Sequence, residues 1–210
     1  SNEYGYGVKA DANYAYVTGS VNYDVWIGKF DLATGALAAE TRYDGGQYND
    51  SGNAIALTLD GNVVVAGGVE VYNQNTGMNF GRDIWVGKFS ASDLSRVWVS
   101  TYVPTPHKTY DTDEAQAVRV DLNGNIYVAG SLITDYGSDI WVAKYDPNGN
   151  LMFARTKNGP SNGWDKGFGL DLDSIGNIYV AGRLETWDQG PNIWVGKYNP
   201  NGSLISERNI

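Results

Sequence analysis

The 210 residues contain no cysteine. That excludes disulfides, thiol catalysis and thiolate metal sites. There is one histidine, His107, between Pro106 and Lys108, so a cluster of imidazole ligands is excluded as well. Charge is sparse, at 19% of residues, and Lys and Arg (15) are outnumbered by Asp and Glu (24) for a net charge of −9. Nucleic acid and anionic membrane surfaces both require clustered cations, so neither is an expected partner. No apolar run approaches the roughly 18 residues that read as a membrane span. No Gly-x-Ser-x-Gly elbow is present, and long helix-forming stretches are missing. The given sequence opens at Ser1-Asn2-Glu3, already inside the pattern described next, and shows no secretory leader pattern; a mature or trimmed product is the expectation.

What the chain has is glycine (27), tyrosine (15) and tryptophan (7), the composition of strands joined by tight turns. One phrase occurs four times: Asp24-Val-Trp26-Ile-Gly28-Lys29-Phe30, Asp83-Ile-Trp85-Val-Gly87-Lys88-Phe89, Asp139-Ile-Trp141-Val-Ala143-Lys144-Tyr145 and Asn192-Ile-Trp194-Val-Gly196-Lys197-Tyr198. The tryptophans are 59, 56 and 53 residues apart (85−26, 141−85, 194−141). A phrase returning at this spacing signals a repeat architecture. Each unit supplies four candidate strands joined by Gly-Asn or Asn-Gly turns such as Gly61-Asn62 and Asn123-Gly124, the strongest short-range hairpin signal. Middle strands such as Ile126–Ala129 are apolar at both parities, so both faces are expected to be covered. Small four-stranded sheets stacked face to face are propeller blades.

The expected fold is therefore all-β, a β-propeller of four blades with four antiparallel strands each. The blades fall near residues 4–43, 54–103, 115–157 and 167–210 of one domain. A fragment of a six- to eight-bladed ring, or an open array, is the alternative. The inner-strand anchors Val8, Ile55, Val118 and Leu170 lie 47, 63 and 52 apart, with the excess placed in a long loop at 69–81. No strand is shared between the termini, so closure would rest on packing of the first blade against the fourth.

The stretches "EYGYGVKAD…YAYVTGS" and "AVRVDLNGNIYVAGS…DIWVAKYDPNGN" resemble the bacterial β-propeller repeat called the SBBP repeat, over nearly the whole chain. The first unit departs most, since its first hairpin lacks Gly-Asn. The resemblance implies a fold and an exported setting, and no reaction.

Four groups of residues are candidates for function. The repeated lysines Lys29, Lys88, Lys144 and Lys197 stand three residues after each Trp and so face opposite to it on a strand. They form either a cationic ring or stems packed between blades with the ammonium on a repeat carboxylate; membership in the blade consensus favours packing. An acid stands five residues before each anchor: Glu3, Asp50, Asp113 and Asp165. These carboxylates suit either a hard cation such as Ca²⁺ or the capping of turns through backbone N–H groups. Aromatic residues in or beside connections, Tyr48, Tyr72, Phe80, Tyr110, Tyr136, Trp164 and Trp187, suit sugar stacking, protein contacts or plugging between blades. The fourth feature is the uncharged run Val97–Val103, an outer strand without guards.

No catalytic residues emerge. A carboxylate pair is conceivable for a glycosidase, but nothing marks a pair among 24 acids. The sequence thus points to a non-enzymatic, extracellular or cell-surface module that self-associates into a larger assembly or filament. The alternative is a lectin-like propeller that binds glycans or another surface protein.

Overall fold

The structure, a computed structural model, describes residues 2–46, 49–73, 78–103, 111–187 and 190–210, and only the backbone at 71–73, 78–80 and 111. It is all-β, with four sheets that each hold four consecutive antiparallel strands in sequence order, the four blades of a β-propeller fold. Blade 1 holds β1 (Glu3–Ala10), β2 (Tyr14–Val21), β3 (Asp24–Asp31) and β4 (Leu37–Tyr43). Blade 2 holds β5 (Ser51–Leu57), β6 (Val63–Asn73), β7 (Met78–Phe89) and β8 (Arg96–Tyr102), with β9 (Asp111–Thr112) added parallel to β7. Blade 3 holds β10 (Glu114–Val120), β11 (Ile126–Thr134), β12 (Gly137–Tyr145) and β13 (Leu151–Lys157). Blade 4 holds β14 (Lys166–Leu172), β15 (Ile178–Thr186), β16 (Gly190–Tyr198) and β17 (Leu204–Asn209). The chain divides into two compact units, Ser1–Glu114 and Ala115–Ile210.

The repeated phrase forms the third strand of every blade, and each Trp pairs with the same glycine of the second strand: Gly19↔Trp26, Gly67↔Trp85, Gly130↔Trp141 and Gly182↔Trp194. The second-strand glycine is required by a close backbone approach. A Cβ at Gly67 would lie 1.9 Å from the Ser51 carbonyl oxygen, beside the irregularity where β5 shifts register between Gly52 and Ala54. The glycine two residues after the Trp has a different cause. The Trp85 indole folds over Gly87, where a Cβ would lie 2.6 Å from the ring.

Turn chemistry repeats too. Asp121 accepts hydrogen bonds from Asn123 N and Asn125 N (both 2.9 Å), and Asp173 from Ile175 N (3.1 Å) and Asn177 N (2.8 Å). The first hairpin lacks Gly-Asn, yet Asp11 does the same work, accepting from Asn13 N and Tyr14 N (both 2.8 Å). An Asx turn needs only the leading carboxylate, which explains why the shorter turn survives.

One expectation is corrected. Residues 69–81 are not simply a loop: β6 and β7 run on as a hairpin with Glu70↔Arg82, Tyr72↔Asn79 and Asn73↔Met78 in register. The segment Val69-Glu70-Val71-Tyr72 is rich in β-formers, a strand signal hidden by the repeat spacing.

Each unit has a core formed where one blade's face meets the next. In the first unit Tyr16, Val25 and Ile27 of blade 1 join Ile55, Val63, Val65, Trp85 and Phe89 of blade 2. Tyr43 at the end of β4 adds a ring 4.9 Å from that of Trp85. In the second unit Tyr127, Ile140 and Val142 of blade 3 join Leu170, Ile178, Val180, Trp194 and Tyr198 of blade 4. In both, the face bearing the later blade's Trp packs on the opposite face of the earlier blade.

Candidate functional sites

The lysines lie on the face opposite Trp, as strand alternation requires. Lys29 is buried; its ammonium donates to the Ala91 carbonyl (2.7 Å) in the β7–β8 turn of the neighbouring blade and stands 3.9 Å over the Tyr14 ring. Its partners are thus a carbonyl and an aromatic face rather than the expected repeat carboxylate. Lys88 does approach a carboxylate, that of Asp60, at 3.9 Å. Lys144 and Lys197 stand 5.0 and 5.1 Å over the rings of Tyr127 and Tyr179.

Those tyrosines complete a constellation that sequence reasoning missed. Tyr16, Tyr127 and Tyr179 each donate from the hydroxyl to the turn carboxylate of Asp11, Asp121 and Asp173, at 3.1, 3.1 and 3.2 Å. The signal was present as an Asp six residues before Tyr in blades 3 and 4 and five before it in blade 1. Burial, reinforced by the Asp11 carboxylate, pushes the Tyr16 hydroxyl up to about 12. Asp173 is held below the usual carboxylate range, chiefly by the Asn177 amide. These groups are fixed acceptors and donors rather than proton-transfer partners near neutral pH. In the second unit they border a cavity of about 530 Å³ lined by Arg119, Asp121, Tyr127, Lys144, Asp173 and Ile175, among others. It offers mixed charge to a small polar guest.

The acids before the anchors have distinct places. Asp50 and Asp165 are buried and make the same contacts. Asp50 accepts from Glu70 N (2.6 Å) and Gly45 N (2.6 Å); Asp165 accepts from Glu185 N (2.7 Å) and Gly159 N. Each therefore ties its own blade's second strand to the segment leading into that blade. Asp113 is buried and its amide donates to the Arg82 carbonyl (2.8 Å), while Glu3 is exposed at the start of β1. Among the described residues, no group of three or more His, Cys, Asp or Glu is placed to hold a metal ion.

Of the aromatic candidates, Tyr136, Trp164 and Trp187 are exposed. Trp164 bridges to Ser138, two residues from Tyr136, and its carbonyl accepts from Arg183 Nε (3.0 Å) and Nη2 (2.7 Å), on the strand that leads to Trp187. All three thus belong to one end of the second unit. Tyr72 and Phe80 fall on β6 and β7, whose side chains there are not described. Tyr48 and Tyr110, like His107, lie outside the described residues. The outer strand β8 opens on Arg96, one residue before the uncharged run, and Val97 and Val103 are exposed. No helix among the described residues is long and apolar enough to cross a membrane.

No family model matches the chain, and no curated protein matches it. Solved structures do. A quinohemoprotein alcohol dehydrogenase from Comamonas testosteroni is 14% identical, with a TM-score of 0.59, over 97% of this chain and 35% of the dehydrogenase. A protein of unknown function from Dyadobacter fermentans is 12% identical, with a TM-score of 0.58, over 99% of this chain and 69% of that one. This chain therefore spans about a third of the length of the dehydrogenase. Likeness at these identities speaks to the fold, and an enzyme among the neighbours carries no activity across.

Proposed function

We propose that the chain is a non-enzymatic, exported structural module of SBBP-repeat type that associates with further copies of itself. One observation supports this above the others: apolar sheet faces at the first and last blades are exposed. Val8 on the Trp-bearing face of blade 1 and Ile193 and Val195 on the opposite face of blade 4 are open to solvent. Large apolar side chains exposed on a sheet face are a mark of interaction sites. Light scattering and negative-stain microscopy over a range of concentration and salt test the reading. A mass rising above the 22.8 kDa of one chain is expected. A monomer under all conditions rejects it.

A second reading rests on Tyr136, Trp164 and Trp187 lying at one end of the second unit. Exposed rings suit stacking against sugars, and the reading is a glycan-binding face. A glycan array probed with the wild type and with Trp164→Ala tests it. Binding lost in the variant supports the reading, and no binding, or binding indifferent to the change, removes it.

A further inference from the structure

Repeat equivalence allows the open faces of the end blades to be compared with those that are paired. On the Trp-bearing face, Val8 of blade 1 corresponds to Ile55 of blade 2 and Leu170 of blade 4. Ile55 and Leu170 are each 4% exposed, whereas Val8 is 64% exposed. Trp26, Phe30, Val17 and Val21 on this face are half-buried, while their blade 2 counterparts Trp85, Phe89, Val65 and Val69 are buried. On the opposite face, Ile193 of blade 4 corresponds to Val25 and Ile140. Those two are fully buried and Ile193 is 61% exposed. The C-terminal Ile210, which follows β17, is placed against Ile193 as Tyr43 is against Val25, and it too is exposed.

The two open faces are therefore opposite halves of one interface, which is formed twice within the chain. Val25 meets the Ile55 and Trp85 face inside the first unit, and Ile140 meets the Leu170 and Trp194 face inside the second. The fit is specific to position. A Cβ at Gly52 would lie 3.2 Å from Val25 Cγ1, and one at Gly167 would lie 3.2 Å from Ile140 Cγ2. Their counterpart in blade 1 is Gly5, whose Cβ would meet only Val17 at 3.8 Å. Gly5 instead lines a cavity of about 350 Å³ with Tyr4, Val21, Trp26, Glu40 and Arg42. In the two units the equivalent places beside Gly52 and Gly167 are met by Val25 and Ile140.

We infer that the occupant of each open face is a second copy of this chain, joined head to tail. Blade 4 of one copy lays Ile193, Val195 and Ile210 on Val8, Gly5 and Trp26 of the next. This rests on the self-association proposed above and identifies its surface. A second copy is the partner because it supplies both complementary faces at once, with residues whose pairing is already formed twice. Lys197 of the first copy then stands where Lys29 does, and its ammonium reaches the Leu32 carbonyl of the second copy, the counterpart of Ala91. Such a heterologous contact closes into a ring or propagates as a filament, according to the rotation per copy.

The experiment uses Val8→Lys and Ile193→Glu in the full chain, with Val97→Lys on the β8 edge as the comparison. The two end-face positions are exposed, and circular dichroism with thermal unfolding confirms that each variant is folded. Sedimentation is expected to show self-association weakened at least tenfold in each end-face variant and unchanged in Val97→Lys. Mixing Val8→Lys with Ile193→Glu is expected to restore association, since one junction then opposes ammonium and carboxylate and another is native. Association unaffected by both end-face changes, or lost in Val97→Lys alone, overturns the head-to-tail surface while leaving self-association intact. A monomeric wild type overturns both, whether the faces meet within one chain or receive blades from a longer one.

Discussion

Asp50 is the side chain whose ionisation the fold constrains most legibly. Burial pushes its carboxyl up to about 6, against the backbone hydrogen bonds from Glu70 and Gly45 that pull it down. Burial raises Asp165 in the same direction. A carboxyl raised in the folded state contributes stability that is fully present below its unfolded value near 4 and is lost as pH rises through the folded value. Turn acids such as Asp11 and Asp31, lowered mainly by backbone N–H groups or by the Thr34 hydroxyl, act oppositely, their stability being lost as pH falls below about 4. Stability is therefore expected to decline between pH 4 and 6 by an amount on the order of 2 kcal/mol from Asp50. Urea unfolding across that window should show the decline in the wild type and a flatter profile in Asp50→Asn. An unchanged slope would remove this assignment. The acid pattern was legible in sequence, but its use was not. Spacing alone cannot say that the acceptors' partners are main-chain amides twenty residues downstream and at the preceding link.

The four indoles are equivalent in register and unequal in burial, which separates their contributions. Trp85 is buried between blades, so Trp85→Ala is expected to cost about 3–5 kcal/mol. Trp26 is half-buried, with its indole N–H donating to Glu40 (2.7 Å), so Trp26→Ala should cost about half as much or less in dilute monomer. Denaturant midpoints measure both, and equal losses would contradict the assigned faces.

At the scale of the element, the blade's third strand is defined by what the indole covers. Gly87→Ala would drive a methyl into the Trp85 ring and is expected to cost about 1–3 kcal/mol. Blade 3 carries Ala143 at this position and buries it fully, so Ala143→Gly should change stability by about 1 kcal/mol or less, mostly from backbone freedom. Thermal unfolding of the two variants checks the contrast. Hairpins were readable in sequence because Asp, Asn and Gly fix their turns locally. The extended β6–β7 hairpin was not, since a strand that outgrows its repeat breaks the spacing by which the repeat is recognised. The β5 register shift at Gly52 was likewise hidden, because its one extra residue falls within Gly52-Asn53-Ala54, small or polar residues that carry no apolar alternation to break.

For the whole molecule, repetition made the blades legible, and the same repetition concealed their ends. A residue such as Val8 or Ile193 reads as core in every copy of the repeat; only the structure shows that these two are exposed where their counterparts Ile55 and Val25 are buried. The Trp-bearing face of blade 1 and the opposite face of blade 4 are apolar as the repeat makes them, and in the proposed assembly a second chain covers them. The absence of cysteine gives a direct way to ask. Gly5→Cys and Ile193→Cys can be made in separate chains, mixed and oxidised, and a disulfide reports side chains within about 4 Å at Cβ. Head-to-tail association predicts a covalent species of twice the 22.8 kDa chain mass, formed in the mixture far faster than in either variant alone and mapped to residues 5 and 193. Products that join only position 5 to position 5 or position 193 to position 193, or no product at concentrations where the wild type associates, would contradict it.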